Sequence, residues 1–98
     1  MSVAQVHGAV QDNRARNRYE LQVDGDMAFI NYRRAGDVVT MTHAEVPARF
    51  EGKGVGSALA RGALDLVRAG GGRVVPACPF IAVYIERHPE YRELLMAR

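Results

Sequence analysis

The stretch Thr42-His43-Ala44-Glu45-Val46-Pro47-Ala48-Arg49-Phe50-Glu51-Gly52-Lys53-Gly54-Val55-Gly56-Ser57-Ala58-Leu59-Ala60-Arg61-Gly62-Ala63-Leu64-Asp65 decides the fold. It begins with strand-like residues, passes through glycines at three alternate positions (Gly52, Gly54 and Gly56), and ends in a helical period. Val55, Leu59, Ala63, Leu66 and Val67 fall on one apolar stripe at i, i+4, i+8, i+11 and i+12. A glycine-rich turn feeding a helix is an anion site in outline. Glycine allows positive φ and close approach of a ligand to the backbone, and the helix start offers unpaired N–H groups at the positive end of its dipole. Lys53 adds a charge and Ser57 a hydroxyl, so a pyrophosphate would suit the place. A Walker loop is excluded because Lys53 precedes Gly54 rather than following the last glycine. A dinucleotide fingerprint needs a third glycine where Ser57 stands, and it would open a βαβ unit. The residues alone leave two alternatives, a flexible connector without a ligand and a cradle for some other phosphate compound.

Upstream, the period is that of strands. Tyr19, Leu21 and Val23 alternate with Glu20, Gln22 and Asp24. Asp24-Gly25-Asp26 supplies a hairpin turn. Residues 27–34 read as a second strand, with Ala28, Ile30 and Tyr32 on one face. Ala35-Gly36-Asp37 turns the chain again, and residues 38–46 form a third strand that ends at Pro47. Residues 1–15 are polar and aperiodic and read as a flexible arm, which leaves residues 16–98 as a single domain. Downstream, Gly70-Gly71-Gly72 stops the helix. Residues 73–78 read as a short strand covered on both faces, and Pro76 assigns it to an edge or a bulge. Pro79 then opens a helix over residues 80–87, and Pro89 opens a last one over residues 90–96. The order is βββ-αβα-α. The expected class is α/β, an antiparallel meander leading through a right-handed parallel crossover into a β-α-β-α unit with a C-terminal helix.

Composition narrows the functional classes. The 98 residues carry 13 basic and 11 acidic side chains, a balance of +2 that is too mild to imply nucleic acid. Arg14, Arg16 and Arg18 form a local basic run that reads as a solvated arm. A chain of this length buries only about 60–65% of its unfolded surface, enough for one thin core. Cys78 is the single cysteine, so a disulfide scaffold is excluded. Neither a signal peptide nor a membrane span is legible, and the expected address is the cytoplasm. No metal-ligand spacing is present.

The quoted stretch resembles motif A of the GCN5-related N-acetyltransferases: a strand, the pattern Arg/Gln-x-x-Gly-x-Gly/Ala, then a helix. The continuation over residues 74–91, VVPACPFIAVYIERHPEY, resembles a compact subgroup with a Cys-Pro-aromatic turn and a His-Pro-Glu-Tyr ending. The resemblance runs from about Tyr19 to the C-terminus. It implies acetyl-CoA as donor, an amine of unread identity as acceptor, and no metal. Its cofactor site carries over to Glu51, Gly52, Lys53, Gly54, Val55, Gly56 and Ser57, with Ala44, Glu45 and Val46 pairing the pantetheine arm and Cys78 lining the groove. Glu51 departs from the usual Arg or Gln, but the contacts implied there come from backbone N–H groups, and its side chain is expected to turn outward.

Acetyl transfer to an amine needs a base for the nucleophile and a proton for the departing thiolate. His43 and Glu45 share a strand face and are the candidates for base. Tyr84 stands where the family often keeps a tyrosine as general acid, and a core aromatic is the plainer reading of it. Cys78, before Pro79 at a helix start, reads as a nucleophile or as a wall of the groove, the latter favoured. Larger family members place helices between their first two strands, and those helices help to build the acceptor pocket. Here Asp24-Gly25-Asp26 replaces them, so the acceptor site is expected to be open, shallow, or completed by another molecule. A non-catalytic CoA-binding or protein-interaction module is the alternative function.

Overall fold

A computed structural model describes residues 6–95. Five strands form one sheet in the order β1-β2-β3-β4-β5. They are β1 (Val6–Asn13), β2 (Arg18–Val23), β3 (Asp26–Ala35), β4 (Val38–Glu45) and β5 (Arg73–Pro76). The first four are an antiparallel meander, and β5 lies parallel to β4 at the edge. Helix α1 (Val55–Ala69) makes the crossover between β4 and β5, and α2 (Pro79–Arg87) follows β5. A 3-10 helix (Ala48–Phe50) precedes the glycine turn, and another (Pro89–Leu94) follows α2.

The meander follows from alternation and turn chemistry. Tyr19 and Leu21 are buried opposite buried Ile30 and Ala28 on β3, and Val23 is buried beside the turn, opposite Asp26. Asp24 and Gly25 take φ of 45° and 78°, the two positive values that a two-residue hairpin turn requires. Pro76 is tolerated in β5 because that strand is at the edge, where a missing N–H breaks no ladder.

Several expectations are corrected. Residues 6–13 are not an arm: they form β1, paired with β2 from Val6↔Val23 to Asn13↔Arg18. The alternation that would have revealed this strand is broken by a register shift between His7 and Gln11 and by Gly8 at φ 85°. Residues 1–5 of the expected arm lie outside the described residues. β5 is two residues shorter than expected, and of its four residues only Val74 is buried. The last helix is a 3-10 helix ending at Leu94, and residue 96 lies outside the described residues.

The stripe of α1 also shifts. Val55, Leu59, Ala60, Ala63, Leu64 and Val67 are buried, whereas Leu66 is 39% exposed. At 100° per residue the row 55-59-63-67 is flanked by 60 and 64, and position 66 falls outside it. This face packs on β1, β2 and β3, in one core with buried Tyr19, Leu21, Ile30 and Met41. Leu59 and Leu64 are completely buried, so truncating either to Ala costs about 2–5 kcal/mol. Gly62 lets β1 approach: a Cβ there would lie 2.3 Å from Val10 Cγ2 and 2.6 Å from Val10 Cβ.

One irregularity positions the site. Asn31 faces His43 while Tyr32 faces Met41, so Thr42 is an extra residue in β4, a bulge. Val39 and Met41 point into the core before it. After it the phase reverses, and Ala44 rather than His43 points to the α1 side, opposite buried Ile30.

Candidate functional site

β4 and β5 separate after a short parallel pairing from Val38↔Arg73 to Met41↔Pro76. The Cys78 N–H then donates to the Met41 carbonyl at 2.9 Å, and Pro79 starts α2. From Thr42 onward β4 pairs with β3 alone, so its other edge has no strand partner among the described residues. Beside this edge lies a groove of about 280 Å³ lined by Ala44, Val46, Phe50, Glu51, Gly52, Gly56 and Phe80.

The floor of the groove leads to the start of α1. Gly52 and Gly54 have φ of 77° and 82°, values an L side chain adopts only with strain. A Cβ at either would meet nothing within 4 Å, so both face open space. The Gly54 carbonyl accepts the first intrahelical bond, from Ala58 N–H at 3.1 Å. The N–H groups of Gly52, Gly54, Val55, Gly56 and Ser57 have no backbone partner among the described residues. Those of Glu51 and Lys53 are occupied, donating to Ala48 and Phe50 carbonyls at 3.2 Å each. The N–H groups left free to meet an anion are therefore those of the glycines and the helix start, beside the positive end of the dipole of a 15-residue helix. The Lys53 side chain is exposed, with no side-chain partner among the described residues.

The remaining candidates divide into three places. Glu51 is exposed and forms part of the groove wall. His43 and Glu45 project from the opposite face of β4 as a consequence of the Thr42 bulge, with His43 Nε2 3.3 Å from Glu45 Oε1 and both side chains more than half exposed. Cys78 is the N-cap residue of α2, 5% exposed, and is not among the groove walls. Tyr84 is buried on α2, its ring stacked on His88 at 4.0 Å and 6.0 Å from Tyr91. Burial pushes its hydroxyl pKa up. It too stands apart from the groove walls. Among the described residues no group of three His, Cys, Asp or Glu side chains is placed to hold a metal.

Two walls escape the sequence reading, Phe50 and Phe80. Phe80 offered a signal: a large apolar residue in the first turn of α2 is left 39% exposed, on the side facing Gly56. Phe50 is buried, with Arg49 over its ring, and nothing in its spacing marks it as a groove residue.

The comparisons with known proteins bear on this geometry. Residues 18–94 match the family model described as GCN5-related N-acetyl-transferase. The chain belongs to the GCN5-related N-acetyltransferase family. Protein NATD1 of Mus musculus is 31% identical over 91 residues, covering 88% of this chain and 83% of the relative. Protein NATD1 of Homo sapiens is also 31% identical, over 88% of this chain and 80% of its own length. The solution structure of a GCN5-like protein from Staphylococcus aureus superposes with a TM-score of 0.68 at 20% identity, covering all of this chain and 93% of the other. That likeness carries the fold: a GCN5-related α/β architecture with a five-stranded, mostly antiparallel sheet. No helix among the described residues is long and apolar enough to cross a membrane.

Proposed function

We propose that this chain transfers an acetyl group from acetyl-CoA directly to a primary amine. The observation that carries the reading is the set of unpaired N–H groups of Gly52, Gly54, Val55, Gly56 and Ser57, opening beside the unpaired edge of β4. A linear ligand with a pyrophosphate at one end and an extended amide-bearing arm fits both features. The N–H groups of Gly52, Gly54, Val55, Gly56 and Ser57 would hold the phosphates, with Lys53 offsetting Glu51. Ala44, Glu45 and Val46 would pair the arm as an added strand. Phe50 and Phe80 would close the groove around it.

Acetyl-CoA supplies an acyl group already activated as a thioester. The protein then has to take a proton from the amine and return one to the thiolate. His43 and Glu45 stand on the strand that separates the groove from the outer face, and they are the proton acceptors in this proposal. Tyr84 is assigned as the proton donor and Cys78 as structural support for the groove, since Cys78 is buried at a helix start whose N–H holds β4.

A second reading, a CoA-binding module without transfer, draws on one observation. Neither Cys78 nor Tyr84 forms part of the groove wall. A calorimetric titration with CoA, followed by a transfer assay on a panel of amines, separates the two. Transfer that survives Cys78→Ala supports the direct mechanism with a non-nucleophilic cysteine. CoA binding with neither transfer nor hydrolysis would leave the binding module as the function.

A further inference from the structure

At the end of α1 away from the groove, a second cavity of about 230 Å³ lies between the helix terminus and the sheet. The helix has 15 residues, so the two hollows stand about 20 Å apart at roughly 1.5 Å per residue. Its walls come from the β1–β3 part of the sheet, the β3–β4 turn and the end of α1. Among them is Tyr19, only 1% exposed, whose hydroxyl has no hydrogen-bond partner among the described residues. Yet no side-chain nitrogen or oxygen sealed from solvent is left unpaired among those residues. The slight exposure of Tyr19 therefore falls at its hydroxyl, which opens into the cavity. A buried hydroxyl ordinarily finds a partner, and here the cavity is the place that can supply one.

We propose that this cavity binds a small zwitterion with an apolar body, a free aliphatic amino acid, at a site separate from the groove. The site goes beyond the acetyl-transfer reading and does not depend on it.

Charge is divided across the cavity. At the β1 side, the Tyr32 hydroxyl and Arg14 Nε donate to Asp12 at 2.5 Å and 2.8 Å, and Arg34 Nη2 lies 3.4 Å from it. Two guanidinium groups meet one carboxylate, so this corner keeps a net positive charge. Asp12 is already occupied, while Arg14 has terminal nitrogens left for an incoming carboxylate. The Tyr19 hydroxyl points to the same corner, where Asp12, Arg34, Tyr32 and Arg14 act on it. Burial pushes its pKa up to about 12, so it stays a neutral donor.

The other end has the opposite sign. Asp37 sits in the β3–β4 turn, pinned by its backbone: its carbonyl accepts from Arg73 N–H at 2.8 Å and abuts Gly72, where a Cβ would lie 2.7 Å away. Its side chain is exposed and has no partner among the described residues. The negative end of the α1 dipole lies beside it at Gly70, and both attract an ammonium group. A simple anion would meet Asp37 and a simple cation the arginine corner, whereas a zwitterion answers both. Leu66, 39% exposed, and Val67 add an apolar wall for an aliphatic side chain. The volume is below the roughly 300–1,000 Å³ of pockets for drug-sized ligands, which suits a molecule of amino-acid size.

The test is calorimetry on the intact protein with leucine, isocaproate and isoamylamine. The last two are leucine without its ammonium group and without its carboxylate. Leucine should bind, and each truncated compound should bind on the order of tenfold more weakly. Saturating CoA should leave leucine affinity unchanged, because the groove is at the other end of α1. Tyr19→Phe should remain folded and weaken leucine binding about three- to tenfold, the range of one hydrogen bond. Asp37→Asn should weaken leucine and leave isocaproate as it was. No leucine binding at millimolar concentration, equal affinity for the three compounds, or competition by CoA would overturn the site. So would unchanged leucine affinity in Tyr19→Phe. Each of these results leaves the acetyl-transfer reading standing, since that reading is decided by its own assay.

Discussion

The ring of Phe80 stands over Gly56: a Cβ on Gly56 would lie 3.0 Å from Phe80 Cζ and 3.3 Å from Cε1. This contact joins the start of α2 to the start of α1 and closes one side of the groove. Gly56→Val would push the ring into the groove space proposed for the cofactor arm. We expect CoA affinity to fall on the order of tenfold or more, as when a charge-assisted contact is lost. Phe80→Ala should weaken binding as well, by removing a wall, without disturbing the cradle. Calorimetry on both variants checks this, and unchanged affinity in both would remove Phe80 from the site.

The packing of β1 on α1 gives a stability prediction. Gly62→Ala places a methyl 2.3 Å from Val10 Cγ2, and overpacking of this kind costs about 1–3 kcal/mol. Val10→Ala in the same chain should recover part of that loss, because it removes the colliding atoms. Chemical denaturation of the single and double variants measures it. Additive losses would mean that the two residues do not meet.

Alkaline stability follows from the buried tyrosines, Tyr19 and Tyr91 above all. Burial pushes the Tyr91 hydroxyl up to about 12, helped by the hydrogen bond it donates to Asp65 at 2.8 Å; burial also pushes Tyr19 up to about 12. Both start from an ordinary value of 10.0. A folded pKa above the unfolded one favours the neutral form in the folded state. The stabilisation is therefore complete below pH 10.0 and is lost as pH rises toward about 12. Tyr91→Phe should flatten part of that alkaline decline, since Phe cannot ionise, and Tyr19, Tyr32 and Tyr84, whose hydroxyls burial also pushes up, should keep the rest. Denaturation midpoints of the two proteins across this window test the difference.

Much of the fold was legible because it rests on local periods. The alternation from Tyr19 to Val23, the Asp24-Gly25 turn and the glycine stop after α1 are chemistry within a few residues. β1 was not legible. Of its side chains from Gly8 onward only Val10 is buried, and its irregular pairing removes the alternation. Its trace lay elsewhere, in Gly62, a mid-helix glycine whose absent side chain makes room for Val10. The His43–Glu45 pair was placed on one face from spacing alone, but which face depends on the Thr42 bulge. A one-residue shift of pairing is a property of two strands together, and β4 alone does not encode it. Phe80 joined the groove for a similar reason, because its partner Gly56 is far away in sequence.

The central claim is that the turn from Gly52 to Gly56 and the start of α1 hold acetyl-CoA by backbone N–H groups. Gly54 tests it most directly. It is the N-cap of α1 at φ 82°, and an added Cβ meets no protein atom, only the space assigned to the phosphates. Calorimetric titration of acetyl-CoA into the wild type and Gly54→Val is the decisive measurement. The wild type should bind one equivalent, and Gly54→Val should lose on the order of tenfold or more while remaining folded, because its strain of about 1–2 kcal/mol falls at one exposed turn. Equal affinity in the two proteins, or no binding to the wild type, would contradict the account.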